Sequence, residues 1–213
     1  MEHYYDDNYF NNYQKKIGEF GGMANKFKFQ KYIKKEHTIL DFGCGGGFLL
    51  QNIKARNKFG IEINPIARNY CQNELNINCV SSIDEIKNNS IDVIISNHAL
   101  EHTINPFEII SALTKKLKKN GKIIFVVPLD SFLYKYNQND VNKHLYSFSP
   151  MNLGNIFSGN KLKVLKTGII FHKWPPFWLQ IKNLFGWKIF HIFCRIYGFI
   201  NLFWVQSYVI GEK

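Results

Sequence analysis

The stretch that decides the fold is residues 39–50, with the sequence ILDFGCGGGFLL. An apolar run that ends in an acid passes into glycines and then into a second apolar run. Glycine adopts positive φ and leaves room where a Cβ would clash, so this turn brings bare backbone against a small anionic or zwitterionic cofactor. Glu62 follows Gly43 by 19 positions, at the end of a second short strand (58–63). This order of strand, glycine turn, helix, strand and acid is typical of a nucleoside-binding half-sheet.

The spacing of the glycines separates two kinds of cofactor. A dinucleotide fold needs a third small residue that lets the helix pack tightly on the strand. Here the glycines stand at 43, 45, 46 and 47, and position 48 is Phe, which fits a pyrophosphate poorly. G-x-G-x-G with Asp41 two positions ahead of it resembles motif I of class I S-adenosylmethionine-dependent methyltransferases.

Three further segments extend this resemblance over residues 37–130. Residues 60–64 (GIEIN) match the ribose-binding acidic loop, 90–97 (SIDVIISN) match the fourth strand, and 120–128 (NGKIIFVVP) match the turn and fifth strand. The resemblance implies an α/β protein with a doubly wound, seven-stranded and mostly parallel sheet, the Rossmann-like methyltransferase fold, preceded by N-terminal helices. It also implies S-adenosyl-L-methionine as the cofactor.

The same resemblance implies a role for each cofactor-binding residue. Glu62 would accept the ribose hydroxyls, and Asp41 would lie below the loop, accepting loop N–H bonds or a water. Apolar and polar side chains after the second and third strands would hold adenine, and two residues after the fourth strand would line the methionine part. The predicted set is Asp41, Gly43, Cys44, Gly45, Gly47, Glu62, Ile63, Ser82, Ile83, Asn97 and His98.

Residues 98–102 (HALEH) form a second cluster with two interpretations. The letters match the H-x-x-E-H pattern of inverted zinc peptidases, but such a site needs both histidines and the glutamate on one helix, whereas these residues directly follow a strand (91–96). The run also resembles the L-E-H sequence after strand four of ubiquinone-biosynthesis-type methyltransferases. We therefore predict no metal, with His102 as an acceptor-side base; alternatively, His102 caps the next helix and holds Glu101.

Residues 144–151 (HLYSFSPM) resemble a stretch that precedes a late helix in related enzymes. Ligands of such sheets bind at the carboxyl edge, and histidine titrates in the range useful to a base. We predict His144 as the main acceptor-side base, with Asp130 and Tyr134 as weaker candidates.

The pattern from residue 37 onward alternates strands and helices, which predicts one domain over residues 1–213. Its expected parts are an N-terminal helical lid (1–35), a cofactor-binding core (36–171), an aromatic basic insertion (172–201) and a final strand (202–213). The predicted strands are 38–42, 58–63, 77–80, 91–96, 121–127, 162–171 and 203–210. The predicted helices, besides two in the lid, are 47–56, 65–75, 105–118 and 150–158.

The net charge of +11 is concentrated late in the chain, where nine Lys or Arg and one acid follow Asp140. This balance predicts a partner with phosphates, such as a nucleotide-linked sugar, a nucleic acid or an anionic membrane surface. A proteome that is generally rich in lysine would explain the positive net charge equally well. Residues 172–201 are apolar with charges at 182, 188 and 195, which predicts an amphipathic helix either at a membrane interface or packed on its own domain.

These observations together predict methyl transfer to an oxygen of a small molecule or of a sugar in surface-glycan biosynthesis. The alternatives are an RNA methyltransferase that uses the basic face, and a non-catalytic S-adenosylmethionine-binding protein that docks on a membrane. The polar, acidic N-terminus and four cysteines without a C-x-x-C pair predict a cytoplasmic protein, with peripheral contact at the inner face of the membrane. A small-molecule or glycan acceptor is the expected partner, and nucleic acid is not.

Overall fold

The computed structural model describes residue 10 and residues 15–131, 133–201 and 205–213. Seven strands form one sheet in the order β3-β2-β1-β4-β5-β7-β6. The sheet is parallel except for β7, which runs antiparallel to both β5 and β6. The strands are β1 (Thr38–Phe42), β2 (Asn57–Ile61), β3 (Asn78–Val80), β4 (Ile91–Asn97), β5 (Leu117–Leu129), β6 (Lys163–Ile170) and β7 (Val205–Glu212). The predicted doubly wound, mostly parallel sheet is confirmed.

Six α-helices lie in the described part of the chain. They are α1 (Lys15–Asn25), α2 (Phe48–Asn52), α3 (Pro65–Asn73), α4 (Pro106–Lys116), α5 (Pro150–Gly159) and α6 (Trp178–Ile200). Three of them begin as the sequence predicts, with Pro at the first position of α3, α4 and α5 and a capping side chain just before it. The side chain of Asn105 caps α4, so the alternative in which His102 caps that helix is wrong.

The central strands are buried on both faces because helices cover the sheet on each side. Successive side chains of a strand point to opposite faces, so each strand contributes to two cores. Leu40 and Ile94 belong to one apolar cluster, while their neighbours Ile39 and Ile95 belong to the other. The strands β1 to β4 are parallel neighbours in the sheet. Their carboxyl ends therefore lie along one edge, where the glycine turn is found.

Several predicted boundaries are wrong; for example, β2 ends at Ile61 and not at 63, and β5 begins at Leu117 and not at 121. The helix predicted over 47–56 is only Phe48–Asn52, and the helix predicted over 105–118 ends at Lys116. The turn at 120–121 does not stop that helix. It lies inside β5, where the register against β4 shifts and Asn120 adopts a φ of 62°.

The N-terminal region differs from the two helices predicted there. One α-helix, α1, is followed by two short 3-10 turns, Lys26–Lys28 and Gln30–Tyr32. Apart from Phe10, which packs with Phe48, the first 14 residues of the predicted lid lie outside the described residues.

The insertion 172–201 packs on its own domain through one face. Phe190 and Cys194 of α6 are buried against Ala24 of α1. The helix bends at Gly186, whose φ of 74° and ψ of 179° are not helical. Across the part of the chain that the structure describes, none of the helices has the length and apolar character needed to cross a membrane.

Candidate active site

The glycine turn after β1 is anchored to the end of β2 by backbone hydrogen bonds. Gly43 and Cys44 both donate their N–H groups to the carbonyl oxygen of Ile61, at 2.9 and 3.1 Å. Gly43 has a φ of 73°, and a Cβ there would lie 2.3 Å from the Cβ of Ala99, so only glycine fits. The turn is thereby held open at the carboxyl edge of the sheet.

Glu62 binds this turn directly through its carboxylate. Gly45 donates its N–H to Oε2 at 2.8 Å, and Asn64 donates its N–H to Oε1 at 2.8 Å. We predicted that Asp41 would accept loop N–H bonds or a water; the described N–H bonds of the loop go to Ile61, Cys44 and Glu62, which leaves the water. Each Glu62 oxygen accepts one of these bonds and keeps a lone pair for a further donor.

Burial dominates the titration of both acids. It raises the pKa of Glu62, although the two backbone bonds oppose this shift. Asp41 is 2% exposed, and burial, together with the negative charges that Cys79 and Glu62 can carry, raises its pKa well above the usual value. A cationic group entering the site would therefore be stabilised by both carboxylates.

Two adjoining cavities follow the carboxyl edge of β1 to β4 and share Gly43 and His98 in their walls. One has a volume of about 710 Å³ and the other about 250 Å³. Ten of the eleven predicted cofactor-binding residues line them, and only Gly47 does not. A Cβ at Gly47, whose φ is 82°, would lie 2.5 Å from Sγ of Cys71, so this glycine lets α2 begin close to α3.

The larger cavity contains the predicted adenine slot. Ile63 lies on one side of it and is 61% exposed, although it is a large apolar side chain. Ser82 and Ile83 line the same cavity, and Ser82 caps a short turn in a capping box with Glu85. Asp84 also lines the slot and was missed; its position two residues after Ser82 was the available signal.

The smaller cavity contains the end of β4 and part of α1. Asn97 and His98 line it together with Asp41, Gly45 and Gly46. Burial, followed by the neighbouring Lys28 ammonium, lowers the pKa of His98 to about 3, so its imidazole is neutral at pH 7. Gly18 and Gly22 of α1 and Trp174 complete the wall, which places part of the predicted lid and of the insertion beside the loop.

His144 and Asp130 form a pair on the acceptor side. Nδ1 of His144 lies 2.9 Å from Oδ2 of Asp130. Burial opposes protonation of His144, but the hydrogen bond and charge of Asp130 prevail and raise its pKa. If Nδ1 carries the proton and donates to Asp130, Nε2 is left as the basic atom. Tyr134, the other weak candidate, is exposed, and it is not among the residues that line the two cavities.

Glu101 and His102 lie beside this pair. The His102 ring contacts the His144 ring edge-on, with 5.1 Å between centroids. Burial and the nearby His144 lower the pKa of His102 to about 4. The Glu101 side chain is fully buried, neither of its oxygens has a hydrogen-bond partner among the described residues, and burial raises its pKa to about 7.

The HALEH segment does not form a single helical motif. His98 ends β4 with a φ of 59°, whereas Glu101 and His102 lie in a 3-10 turn (Leu100–His102). Ligand-type atoms of Glu101, His102 and His144 lie within 4.8 Å of one another. The chain loop that carries His144 is fixed to this turn, because Leu145 donates its N–H to the carbonyl oxygen of Glu101 at 2.9 Å.

Comparison with known proteins agrees with this architecture. A family model described as a methyltransferase domain matches residues 8–167. The ubiquinone biosynthesis O-methyltransferase of Rickettsia canadensis (strain McKiel) is 27% identical over 196 residues, which are 82% of this chain and 80% of that protein. The ribosomal protein L11 methyltransferase of Clostridium botulinum (strain Eklund 17B / Type B) is 28% identical over 102 residues, covering 45% of this chain. The chain spans only 33% of the length of that relative.

A solved structure of a SAM-dependent methyltransferase from Archaeoglobus fulgidus superposes with a TM-score of 0.66 at 20% identity, over 96% of this chain and 100% of that one. The chain belongs to the methyltransferase-domain family. Its fold is that of the S-adenosylmethionine-dependent methyltransferases, and S-adenosylmethionine is the cofactor that this family implies.

The residues present fit that cofactor. The site offers an acid with spare lone pairs, Glu62, beside an exposed apolar side chain, Ile63, that a flat base would cover. Its cavities extend past the positive-φ glycine turn to the buried carboxylate of Asp41. A ribose, an adenine and an ammonium each meet a group of matching chemistry.

Proposed function

We propose that this protein transfers a methyl group from S-adenosylmethionine to an oxygen of a small molecule, and that His144 accepts the proton. When bound, the cofactor supplies an electrophilic methyl on a sulfonium. Glu62, Ile63, Ser82 and Ile83 hold the nucleoside, while Asp41, Asn97 and the glycine turn face its amino-acid end. The chain itself must align the acceptor and remove its proton.

The observation that carries this proposal is the His144–Asp130 pair, which lies behind His102, a residue that lines the larger cavity and contacts the His144 ring. The distance of 2.9 Å fixes the imidazole so that one nitrogen faces Asp130 and the other can face an acceptor hydroxyl. His102, whose pKa is about 4, stays neutral at pH 7 and contacts His144. We infer that His144 is the base, as predicted from the sequence, and that His102 positions it instead of acting as a second base.

Fewer observations bear on the chemical class of the acceptor. The name of the Rickettsia canadensis relative, a ubiquinone biosynthesis O-methyltransferase, favours O-methylation of a small molecule. The net charge of +11 favours an acceptor that carries phosphate, including a nucleotide-linked or lipid-linked sugar. RNA remains the first alternative on the same charge argument, and the name of the Clostridium relative adds a protein acceptor.

A panel of acceptors tests these alternatives directly. Purified protein with methyl-labelled S-adenosylmethionine would be offered catechols, nucleoside-diphosphate sugars, RNA and ribosomal protein, each with and without EDTA. We expect label on a catechol or sugar oxygen, and a loss of roughly 10²–10⁴-fold in kcat for His144→Ala, the usual contribution of a general base. Label on RNA or protein would replace the acceptor, and EDTA-sensitive turnover would replace the base with a metal.

We also propose a peripheral membrane contact through residues 172–201, as a feature separate from catalysis. Phe185 and Phe193 of α6 are 59% and 46% exposed, and no acid occurs in this segment. Phe185→Ser/Phe193→Ser should abolish flotation with anionic vesicles, whereas Met151→Ser, at a 72% exposed site on α5, should not. Absence of flotation by the wild type would leave the exposed face without this role and would also exclude the non-catalytic membrane-docking alternative.

A further inference from the structure

An apolar groove separate from the two cofactor-side cavities lies on one face of the sheet. Its volume is about 650 Å³, within the range of small-molecule sites. Ile124 and Val126 of β5 and Ile210 of β7 form its floor, and Ile196 and Phe199 of α6 form one wall. None of the predicted catalytic or cofactor-binding residues lines it, so the activity proposed above does not explain it.

Cations, and no acids, accompany this apolar lining. Lys31 and Arg195 are exposed, so they stand at the mouth of the groove, and Lys28 lies inside it at 6% exposure. No Asp or Glu is found among its described lining residues. The groove therefore combines a long aliphatic surface with positive charge at its opening.

Lys28 lines the groove, but its ammonium binds two side chains outside the lining. Its ammonium donates to Oδ1 of Asn97 at 2.8 Å and to Oε1 of Gln206 at 2.6 Å, and both acceptors are neutral amides. Within the described residues, no carboxylate lies within ion-pair distance of it. Neither Asn97 nor Gln206 lines the groove, so the cations available to a ligand at its opening are Lys31 and Arg195.

We propose that the groove binds a single-chain anionic amphiphile, a long-chain fatty acid, with its chain on the floor and its carboxylate at the cations. The chain would cover the side chains of Ile196 and Phe199, which are 55% and 68% exposed to water, and the carboxylate would meet the positive charge of Lys31 and Arg195. A nucleic acid fits less well, because the aliphatic floor offers few donors to phosphates or bases. The proposal does not depend on methyl transfer or on its acceptor.

Binding of palmitate, below its critical micelle concentration, to the full chain tests the proposal by displacement of a fluorescent fatty acid. Arg195→Met should weaken binding about three- to tenfold, the range expected for one partly exposed ion pair. Lys188→Met removes a cation from the same helix outside the groove and should leave binding unchanged. Ile196→Glu should abolish binding, whereas Ile189→Glu, at an exposed site on α6 outside the groove, should not.

Two controls define failure. Hexadecanol has the same chain without the charge, and equal affinity for both ligands would overturn the role of the cations. Binding to phosphatidylglycerol vesicles without saturable binding of monomeric palmitate would assign the surface to a bilayer instead. A dimer in light scattering that Ile196→Glu dissociates would assign it to a second copy of the chain.

Discussion

The backbone N–H of Gly45 lies 2.8 Å from Oε2 of Glu62, and this bond joins the glycine turn after β1 to the acid after β2. The two residues are 17 positions apart and belong to neighbouring parallel strands. The carboxylate thus has two tasks, since it fixes the loop and faces the cavity. Loss of Glu62 would affect both the shape of the loop and the contact with the cofactor.

Glu62→Ala should weaken binding of adenosylhomocysteine by roughly 1.5–3 kcal/mol, the scale of a lost hydrogen bond to a charged group. The affinity of Glu62→Gln should fall between those of the wild type and Glu62→Ala, because one oxygen is retained while the amide NH₂ faces a backbone donor. Isothermal titration calorimetry measures both changes. Glu74→Ala is the matched control. Glu74 is an exposed acid directly after α3, and this variant should bind like the wild type. Equal affinity in all four proteins would remove Glu62 from the site.

Asp130→Asn should shift the pH dependence of methyl transfer to lower pH. His144 must be neutral to accept a proton, and the Asp130 hydrogen bond and charge raise its pKa, so the rate rises as pH passes that raised value. Without the carboxylate, the pKa of His144 falls and its neutral form persists to lower pH. The plateau should also fall by roughly 10–100-fold, because the oriented charged hydrogen bond is lost.

A titration of the His144 imidazole by NMR measures the same shift without turnover. Its midpoint should move down in Asp130→Asn and stay in place in Glu36→Gln, at an exposed acid ahead of β1. A lower rate without any change in the midpoint or in the acid limb would show that Asp130 supports the loop and not the base.

Local sequence patterns predicted which residues lie at the carboxyl edge of the sheet, but not which of these residues bind one another there. The Asp41 and glycine spacing predicted the turn, and apolar alternation predicted all seven strands to within a few residues. The Gly45–Glu62 bond, however, joins two crossover elements, and propensity carries no information on which carboxylate faces the loop. For that reason the sequence left open whether Asp41 accepts the loop N–H bonds or a water, and the described loop bonds favour the water.

Contacts between residues that are far apart in the sequence could not be predicted either. Lys28 meets Asn97 and Gln206, which are 69 and 178 positions away. The buried side of α6 depends on its packing against α1, so the sequence could not decide whether the apolar face of this amphipathic helix meets a membrane or its own domain. His144 was predicted from its family stretch, while the role of Asp130 as its partner required the three-dimensional distance.

The stability of the protein should rise with pH above neutrality because of Lys28. Burial lowers the pKa of this lysine to about 7, whereas the unfolded chain keeps the ordinary value of 10.5. Between these values the unfolded state holds a proton that the folded state has lost, so raising the pH favours folding. The slope approaches about 1.4 kcal/mol per pH unit for one proton.

Urea denaturation between pH 7 and pH 10 measures this slope. The free energy of unfolding of Lys28→Met should lose the upward slope relative to the wild type, and Lys34→Met, at an exposed lysine, should keep it. Parallel curves for the wild type and Lys28→Met would mean that Lys28 remains protonated through its two amide partners.

Because α1 lies close to the glycine turn, we expect alanine substitutions at two adjacent glycines of α1 to have different effects. A Cβ at Gly22 would lie 2.3 Å from the carbonyl oxygen of Phe48, a backbone atom that cannot move alone. A Cβ at Gly21 would lie 3.7 Å from the ring of Trp174, which is an ordinary contact. The same substitution therefore has opposite consequences at neighbouring positions of one helix.

Gly21→Ala should stabilise the protein or leave it unchanged, because alanine is favoured over glycine in a helix by up to about 1 kcal/mol. Gly22→Ala has the same helical gain but must push α1 away from α2, which costs about 1–3 kcal/mol as in other overpacked contacts. Both glycines line the smaller cavity, so the expected difference comes from packing: by displacing α1, Gly22→Ala should lower the Tm and weaken adenosylhomocysteine binding more than Gly21→Ala does. Thermal melts of both variants with and without this ligand measure the two effects, and a Gly22→Ala protein that melts and binds like Gly21→Ala would contradict the packing of α1 against the turn.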